Sequence, residues 1–113
     1  MPANSLKTLG RLPSAYTRLV RQLAQSGWIC QGTVVCRTLR RKVGGQWKHV
    51  GPYYLWTGKH QGKTICQALS KAQYDAAQQA IAANRRLLRI VAKLQAKTFA
   101  QILKKVPGVQ KRR

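Results

Sequence analysis

The spacing of apolar side chains changes twice along this chain of 113 residues. Apolar positions first recur at helical spacing, then alternate with polar ones through a glycine-rich middle segment, and finally return to helical spacing over a long last segment. This order predicts an α+β fold. We expect a short N-terminal helix, a three- to four-stranded antiparallel meander, and a long C-terminal amphipathic helix.

The first helix is predicted to begin at Ser14, which is a suitable N-cap after Pro13, and to end at Gly27. Its apolar stripe consists of Tyr16, Leu19, Val20 and Leu23. Residues 1–13 are polar, basic and interrupted by glycine and proline, which predicts a flexible basic arm. Residues 106–113 form a second flexible basic segment, so a single folded domain is expected over residues 14–105.

Between Trp28 and Leu69 the period is two, which is typical of strands. The predicted strands are Thr33–Val43, Gln46–Val50, Tyr53–Thr57 and Lys63–Leu69. Gly44-Gly45 indicates a two-residue hairpin turn, Gly51-Pro52 an interruption, and residues 58–62 a loop. Such a sheet buries one face, and alternation leaves open whether that face carries Tyr53 and Leu55 or Tyr54 and Trp56.

The last helix is predicted to start at Ser70, because Ser70-Lys71-Ala72-Gln73 matches a capping box. Asp75 lies near this helix start, where the helix dipole favours negative charge. The predicted apolar side carries Ala77, Ile81, Leu87, Leu88, Val91, Leu94, Thr98, Phe99 and Ile102. The helix should end before Pro107-Gly108, and its second half should pack on the first helix, on a second copy, or on another protein.

The charge of the chain changes what this fold can do. There are 22 Lys and Arg residues against one acidic residue, which gives a formal net charge of +21. A single carboxylate excludes paired-acid glycosidase chemistry and a carboxylate-held metal pair. Because so large a charge favours binding to a polyanion, nucleic acid is the expected partner. Apolar residues make up 44% of the chain, which is enough for a folded core.

Cys30, Cys36 and Cys66, with His49 or His60, could in principle supply four zinc ligands. Their spacing contains no C-x2-C or H-x3-H pair, so reduced structural thiols are predicted, with a metal site as the alternative. Nucleotide-binding glycine motifs are also missing from the sequence, and we expect no cofactor. No apolar run approaches a membrane span. The prediction is therefore a cytoplasmic protein, associated with the nucleoid or with a ribonucleoprotein, that does not bind membranes.

Two groups of side chains are candidates for contact with nucleic acid. The first interleaves cations for phosphates with aromatic planes for stacked bases on the strands: Arg37, Arg40, Arg41, Lys42, Lys48, Tyr54, Trp56, Lys59 and Lys63. The second is a stripe of like charges on the last helix, where such spacing is destabilising unless a ligand compensates it: Arg86, Arg89, Lys93, Lys97 and Lys104.

The order of strand, glycine turn, aromatic strand, Gly62-Lys63-Thr64 and capped Ala-rich helix resembles a three-strand-plus-helix DNA-binding domain. That domain occurs in phage-type integrases and in a class of plant transcription factors, and it lays its sheet in the major groove. Over residues 32–94, Gly51-Pro52-Tyr53-Tyr54-Leu55 followed by Gly62-Lys63-Thr64 also resembles an uncharacterised family of small basic bacterial proteins, often associated with transposases. The resemblance implies a mobile-element or phage-like context.

These observations predict a non-catalytic nucleic-acid-binding protein, with DNA slightly favoured over RNA, acting as an accessory subunit of a larger nucleoprotein complex. One alternative is a protein that binds structured RNA in a ribosome-like assembly, because small ribosomal proteins share this composition. A second alternative is a metal-independent ribonuclease that uses His49 and His60 as base and acid.

Overall fold

The computed structural model describes residues 5–109. Its elements in chain order are a 3-10 helix at Ser5–Leu9, α1 at Ser14–Ala24, β1 at Thr33–Val43, β2 at Gln46–His60, β3 at Lys63–Leu69 and α2 at Lys71–Lys105. The strands form one antiparallel sheet in the order β1-β2-β3. The predicted α+β fold, with a short first helix, a meander and a long last helix, is confirmed.

The middle strand is longer than the sequence predicts. Gly51-Pro52 does not end it, and β2 runs without a break from Gln46 to His60. The pairing with β1 instead shifts register here, because Arg37 stands opposite Tyr53 and Leu39 opposite Val50. A bulge of this kind leaves residues outside the regular ladder, so a proline without an N–H group is tolerated. The Gly51-Pro52 peptide bond is cis.

The described chain divides into two compact units, the first of which contains residues 28–85 with the whole sheet. In this unit, Trp56 Nε1 donates a hydrogen bond of 2.9 Å to the carbonyl oxygen of Gln31, which ties the segment before β1 to the middle strand. Gly58 is buried beneath the same indole ring, where a Cβ atom would lie 2.3 Å from Cζ2 of Trp56. On α2, Ile81 and Ala83 are the buried apolar residues of this unit.

The second unit contains the described residues before Trp28 and those after Arg85. Leu94 is buried in it, and the hydroxyl groups of Tyr16 and Thr98 lie 3.5 Å apart. The predicted apolar side of α2 is only partly covered, since Leu88 is 55% and Phe99 60% exposed.

The predicted flexible segments lie partly outside the described residues. Of the predicted arm, residues 1–4 lie outside the described range, and Ser5–Leu9 forms the 3-10 helix. Of the predicted tail, residues 110–113 lie outside that range.

The start of α2 follows the predicted capping box. The backbone N–H of Gln73 donates to Ser70 Oγ at 3.1 Å, and the backbone N–H of Ser70 donates to Gln73 Oε1 at 2.8 Å. The two donors that would otherwise lack a partner at this helix end are thereby satisfied reciprocally. Ser70 is the N-cap and directly follows β3, so the capping box fixes where the sheet gives way to the helix.

Candidate nucleic-acid interface

The β1–β2 hairpin extends beyond the three-stranded part of the sheet. β3 pairs with β2 only from Tyr54 to His60, whereas β1 pairs with β2 as far as Val43 and Gln46. Residues 39–50 therefore form a two-stranded segment, which we call the basic ribbon. Gly44 and Gly45 close it with φ angles of 57° and 82°, the combination that a type I′ turn requires.

Cations occupy both faces of the basic ribbon. Arg41 stands opposite Lys48 on one face, while Arg40 and Lys42 share the other face with Trp47 and His49. The guanidinium carbon of Arg40 lies 5.4 Å from the centroid of the Trp47 ring, which is a cation–π contact. Every residue from 36 to 49 is exposed, so both faces of the ribbon are open to solvent.

At the base of the ribbon, the sheet face opposite Trp56 bears a shallow groove of about 410 Å³. Tyr53 and Leu55 lie in it, and the predicted site residue Arg37 borders it together with Arg41. Tyr53 is 40% exposed, so its ring is accessible to a ligand in this groove.

Tyr54 and Trp56, both predicted to contact nucleic acid, lie on the opposite face of the sheet and are half-buried. The Tyr54 ring centroid is 4.8 Å from that of Tyr74 in α2, and the Trp56 ring lies against Gly58. The pair that α2 covers is therefore Tyr54 and Trp56, a choice that alternation alone left open. The exposed aromatic rings near the cations are instead Trp47 and Tyr53. The link between Arg40 and Trp47 could have been found from the sequence, because a two-residue turn at Gly44-Gly45 makes them diagonal neighbours.

Lys59 near the end of β2 and Lys63 at the start of β3 are exposed, but they lie away from the ribbon turn. Lys59 pairs with Thr64, and Lys63 pairs with His60. The structure therefore does not bring these two lysines together with the ribbon cations.

The predicted helical cations form one exposed face in the second half of α2, which we call the helical basic face. It consists of Arg86, Arg89, Lys93, Lys97 and Lys104. At 100° per residue these positions fall within a narrow arc of the helix. The ribbon and the helical basic face belong to different compact units.

The single acidic side chain of the sequence is engaged within the chain. Asp75 Oδ1 lies 2.7 Å from Lys71 Nζ, one turn earlier on α2, and the hydrogen bond from Lys71 to this carboxylate raises the pKa of Lys71 above its usual value. The sequence holds no second acidic side chain. The one acidic side chain is therefore engaged by a lysine of α2 and not by a cation of the ribbon.

The structure separates the residues that the alternative chemistries would require. His49 and His60 are both on β2, eleven residues apart on an extended strand, which corresponds to roughly 35 Å. One phosphodiester cannot reach both, so this geometry does not support the paired-histidine ribonuclease. Cys30, Cys36 and Cys66 are free thiols, and residues 5–109 contain no group of three or more potential ligands that could hold a metal ion.

Comparisons with protein-family models, with curated proteins and with solved structures find no match for this chain. Within the described residues, none of the helices combines the length and the apolar character needed to cross a membrane.

Proposed function

We propose that this protein binds nucleic acid without catalysis, that it prefers duplex DNA to RNA, and that it acts as an accessory component of a larger nucleoprotein complex. The observation that carries the proposal is the basic ribbon, an exposed hairpin whose charged residues are all cations. Like charges directly opposite each other destabilise a strand pair. An arrangement such as Arg41 opposite Lys48 is therefore consistent with a surface used to bind phosphates.

Exposed aromatic side chains accompany the cations on this surface. Trp47 and Tyr53 are exposed beside the ribbon cations, so that planar rings accompany the groups that would meet phosphates. Attraction of phosphates to cations is the general contribution to such binding, and apolar or aromatic side chains can add contacts to base edges in the major groove of a duplex. The helical basic face would add phosphate contacts that do not depend on sequence.

A protein partner on α2 forms part of the same proposal. Leu88, Phe99 and Leu103 are 55%, 60% and 69% exposed, so that a long apolar stripe on the second half of α2 remains uncovered within the described chain. Exposed apolar stripes of this kind are typical of protein interaction sites. Light scattering of the nucleic-acid-free protein should show self-association if the partner is a second copy, and a monomer if the partner is another protein.

The test of the proposed function is a binding titration against salt. Nuclease-treated protein is mixed with a 20-base-pair DNA duplex, and affinity is measured between 50 and 200 mM NaCl. If six to ten phosphates are neutralised, the affinity should fall by roughly 10³–10⁵-fold over this range. A flat salt dependence, or absence of binding at 50 mM, would contradict the proposal. A folded RNA of equal length, offered in competition, tests the preference for DNA.

A further inference from the structure

The basic ribbon has dimensions that match one particular feature of nucleic acid. From the Leu39–Val50 pair to the Val43–Gln46 pair it extends four residues, or about 14 Å before the turn is added. The major groove of B-form DNA is about 12 Å wide and about 8.5 Å deep, and it admits a two-stranded ribbon. The ribbon is therefore long enough to reach the base edges.

The distribution of charge on the ribbon favours insertion over lying flat. A hairpin that lies flat along one phosphate backbone needs cations on one face only. Here Arg41 and Lys48 occupy one face, and Arg40 and Lys42 the other. A ribbon inside a groove has a phosphate wall on each side, and this two-sided arrangement presents cations to both.

The end of the ribbon is suited to the floor of a groove. Val43 precedes the turn and is 50% exposed, and Trp47 is 62% exposed. Apolar side chains can contact the methyl group of thymine in the major groove. Gly44 and Gly45 carry no side chain at the point of deepest entry, and no neighbouring atom lies within 4 Å of where their Cβ atoms would be.

The same dimensions select among nucleic acids. The minor groove of B-form DNA is only about 6 Å wide, and the major groove of A-form RNA is deep and too narrow for side chains to read. Neither accommodates a two-stranded ribbon without distortion. We propose that the basic ribbon, residues 39–50, inserts into the major groove of duplex DNA with its two charged faces toward the two phosphate backbones. This inference rests on the proposed function and specifies how its ligand is bound.

The experiment compares duplexes that contain the same number of phosphates but differ in groove access. One 20-base-pair duplex is unmodified, and a second has its cytosines replaced by glucosylated 5-hydroxymethylcytosine, which fills the major groove and leaves the phosphates unchanged. A third is the unmodified duplex saturated with netropsin, a minor-groove ligand, and a fourth is an RNA duplex of the same length. Affinities are measured by fluorescence anisotropy at one salt concentration.

Two matched triple variants separate the ribbon from net charge. The ribbon variant carries Arg41→Gln, Lys42→Gln and Lys48→Gln. The control variant carries Lys7→Gln, Arg18→Gln and Arg21→Gln, which removes the same charge from exposed positions outside the proposed surface. All six side chains are exposed, so both variants should keep the wild-type fold, and circular dichroism checks this.

The expected result is that wild type and control variant bind the glucosylated and RNA duplexes roughly tenfold or more weakly than unmodified DNA, with little effect of netropsin. The ribbon variant should bind weakly to all four with little discrimination.

Several outcomes would overturn the inference. Equal wild-type affinity for the glucosylated and unmodified duplexes would overturn groove insertion while leaving nucleic-acid binding intact. So would a loss caused by netropsin that is as large as the loss caused by glucosylation, equal binding of the RNA duplex, or discrimination that persists in the ribbon variant. Failure of the wild type to bind any duplex would remove the proposed function itself and the inference with it.

Discussion

The cross-strand pair of Arg41 and Lys48 gives a prediction in which stability and binding change in opposite directions. Both side chains are exposed and stand directly opposite each other on one face of the ribbon. Two unit charges about 6 Å apart in water repel by about 0.7 kcal/mol, and directly opposite pairs in sheets contribute about 0.2–1 kcal/mol. Replacing Arg41 by Glu turns this repulsion into attraction.

We therefore expect Arg41→Glu to raise the free energy of unfolding by about 1 kcal/mol at low salt. The gain should shrink as salt is added, because the Debye length is about 10 Å at 0.1 M and about 3 Å at 1 M. Affinity for duplex DNA should fall in the same variant. Loss of each phosphate contact should reduce the slope of log affinity against log salt by about 0.9.

Urea unfolding of nuclease-treated protein, followed by circular dichroism at 20 mM and 500 mM NaCl, measures the stability change. Lys42→Glu is the control, because it makes the same change in net charge but stands opposite Trp47 instead of a cation. It should stabilise the protein less than Arg41→Glu does. If Arg41→Glu is less stable than the wild type at low salt, or binds DNA with an unchanged salt slope, the reasoning about this pair is wrong.

Two further predictions concern the sheet unit and the start of α2. Gly58→Ala should destabilise the protein by about 1–3 kcal/mol in a urea titration, because the new Cβ would lie 2.3 Å from the Trp56 ring. The control is Gly108→Ala, where the new Cβ meets open space, and it should change stability by less than about 0.5 kcal/mol. Equal effects of the two substitutions would contradict this account. The ion pair of Lys71 and Asp75 raises the pKa of Lys71, so the stability that this pair contributes is present below the usual lysine pKa of about 10.4 and is lost as pH rises through the folded-state value. The stability difference between wild type and Asp75→Asn, measured by urea unfolding from pH 7 to 11.5, should therefore stay constant to about pH 10 and then narrow. A difference that widens above pH 10 would refute the assignment.

Local signals predicted the parts of this fold that depend on neighbours in sequence. The capping box at Ser70 and Gln73 and the two-residue turn at Gly44-Gly45 are such signals, and both appear in the structure as expected. The strand break predicted at Gly51-Pro52 was wrong, because a proline usually indicates the end of a strand and only the register shift of the partner strand makes it acceptable here. That shift is a property of the β1–β2 pair and is invisible in either strand alone.

The candidate site was predictable in its charges but not in its aromatic residues. The ribbon cations follow from counting lysine and arginine along the strands. The covered face of the sheet is the one on which Tyr54 contacts Tyr74 of α2 and the Trp56 ring lies against Gly58. Alternation along the strand treats the two faces equally, so the pattern alone does not identify the covered one. Phe99 likewise fits the apolar side of α2 by period but stays exposed.

The open edges of the basic ribbon have a consequence for its behaviour when charge is removed. Between residues 39 and 50 neither strand has an outer neighbour in the sheet, so that two rows of backbone donors and acceptors face outward. Natural proteins protect such edges from pairing with other molecules by means of charged side chains. A polyanion that neutralises the lysines and arginines also removes this protection, so ribbons bound side by side along one duplex would be free to pair edge to edge.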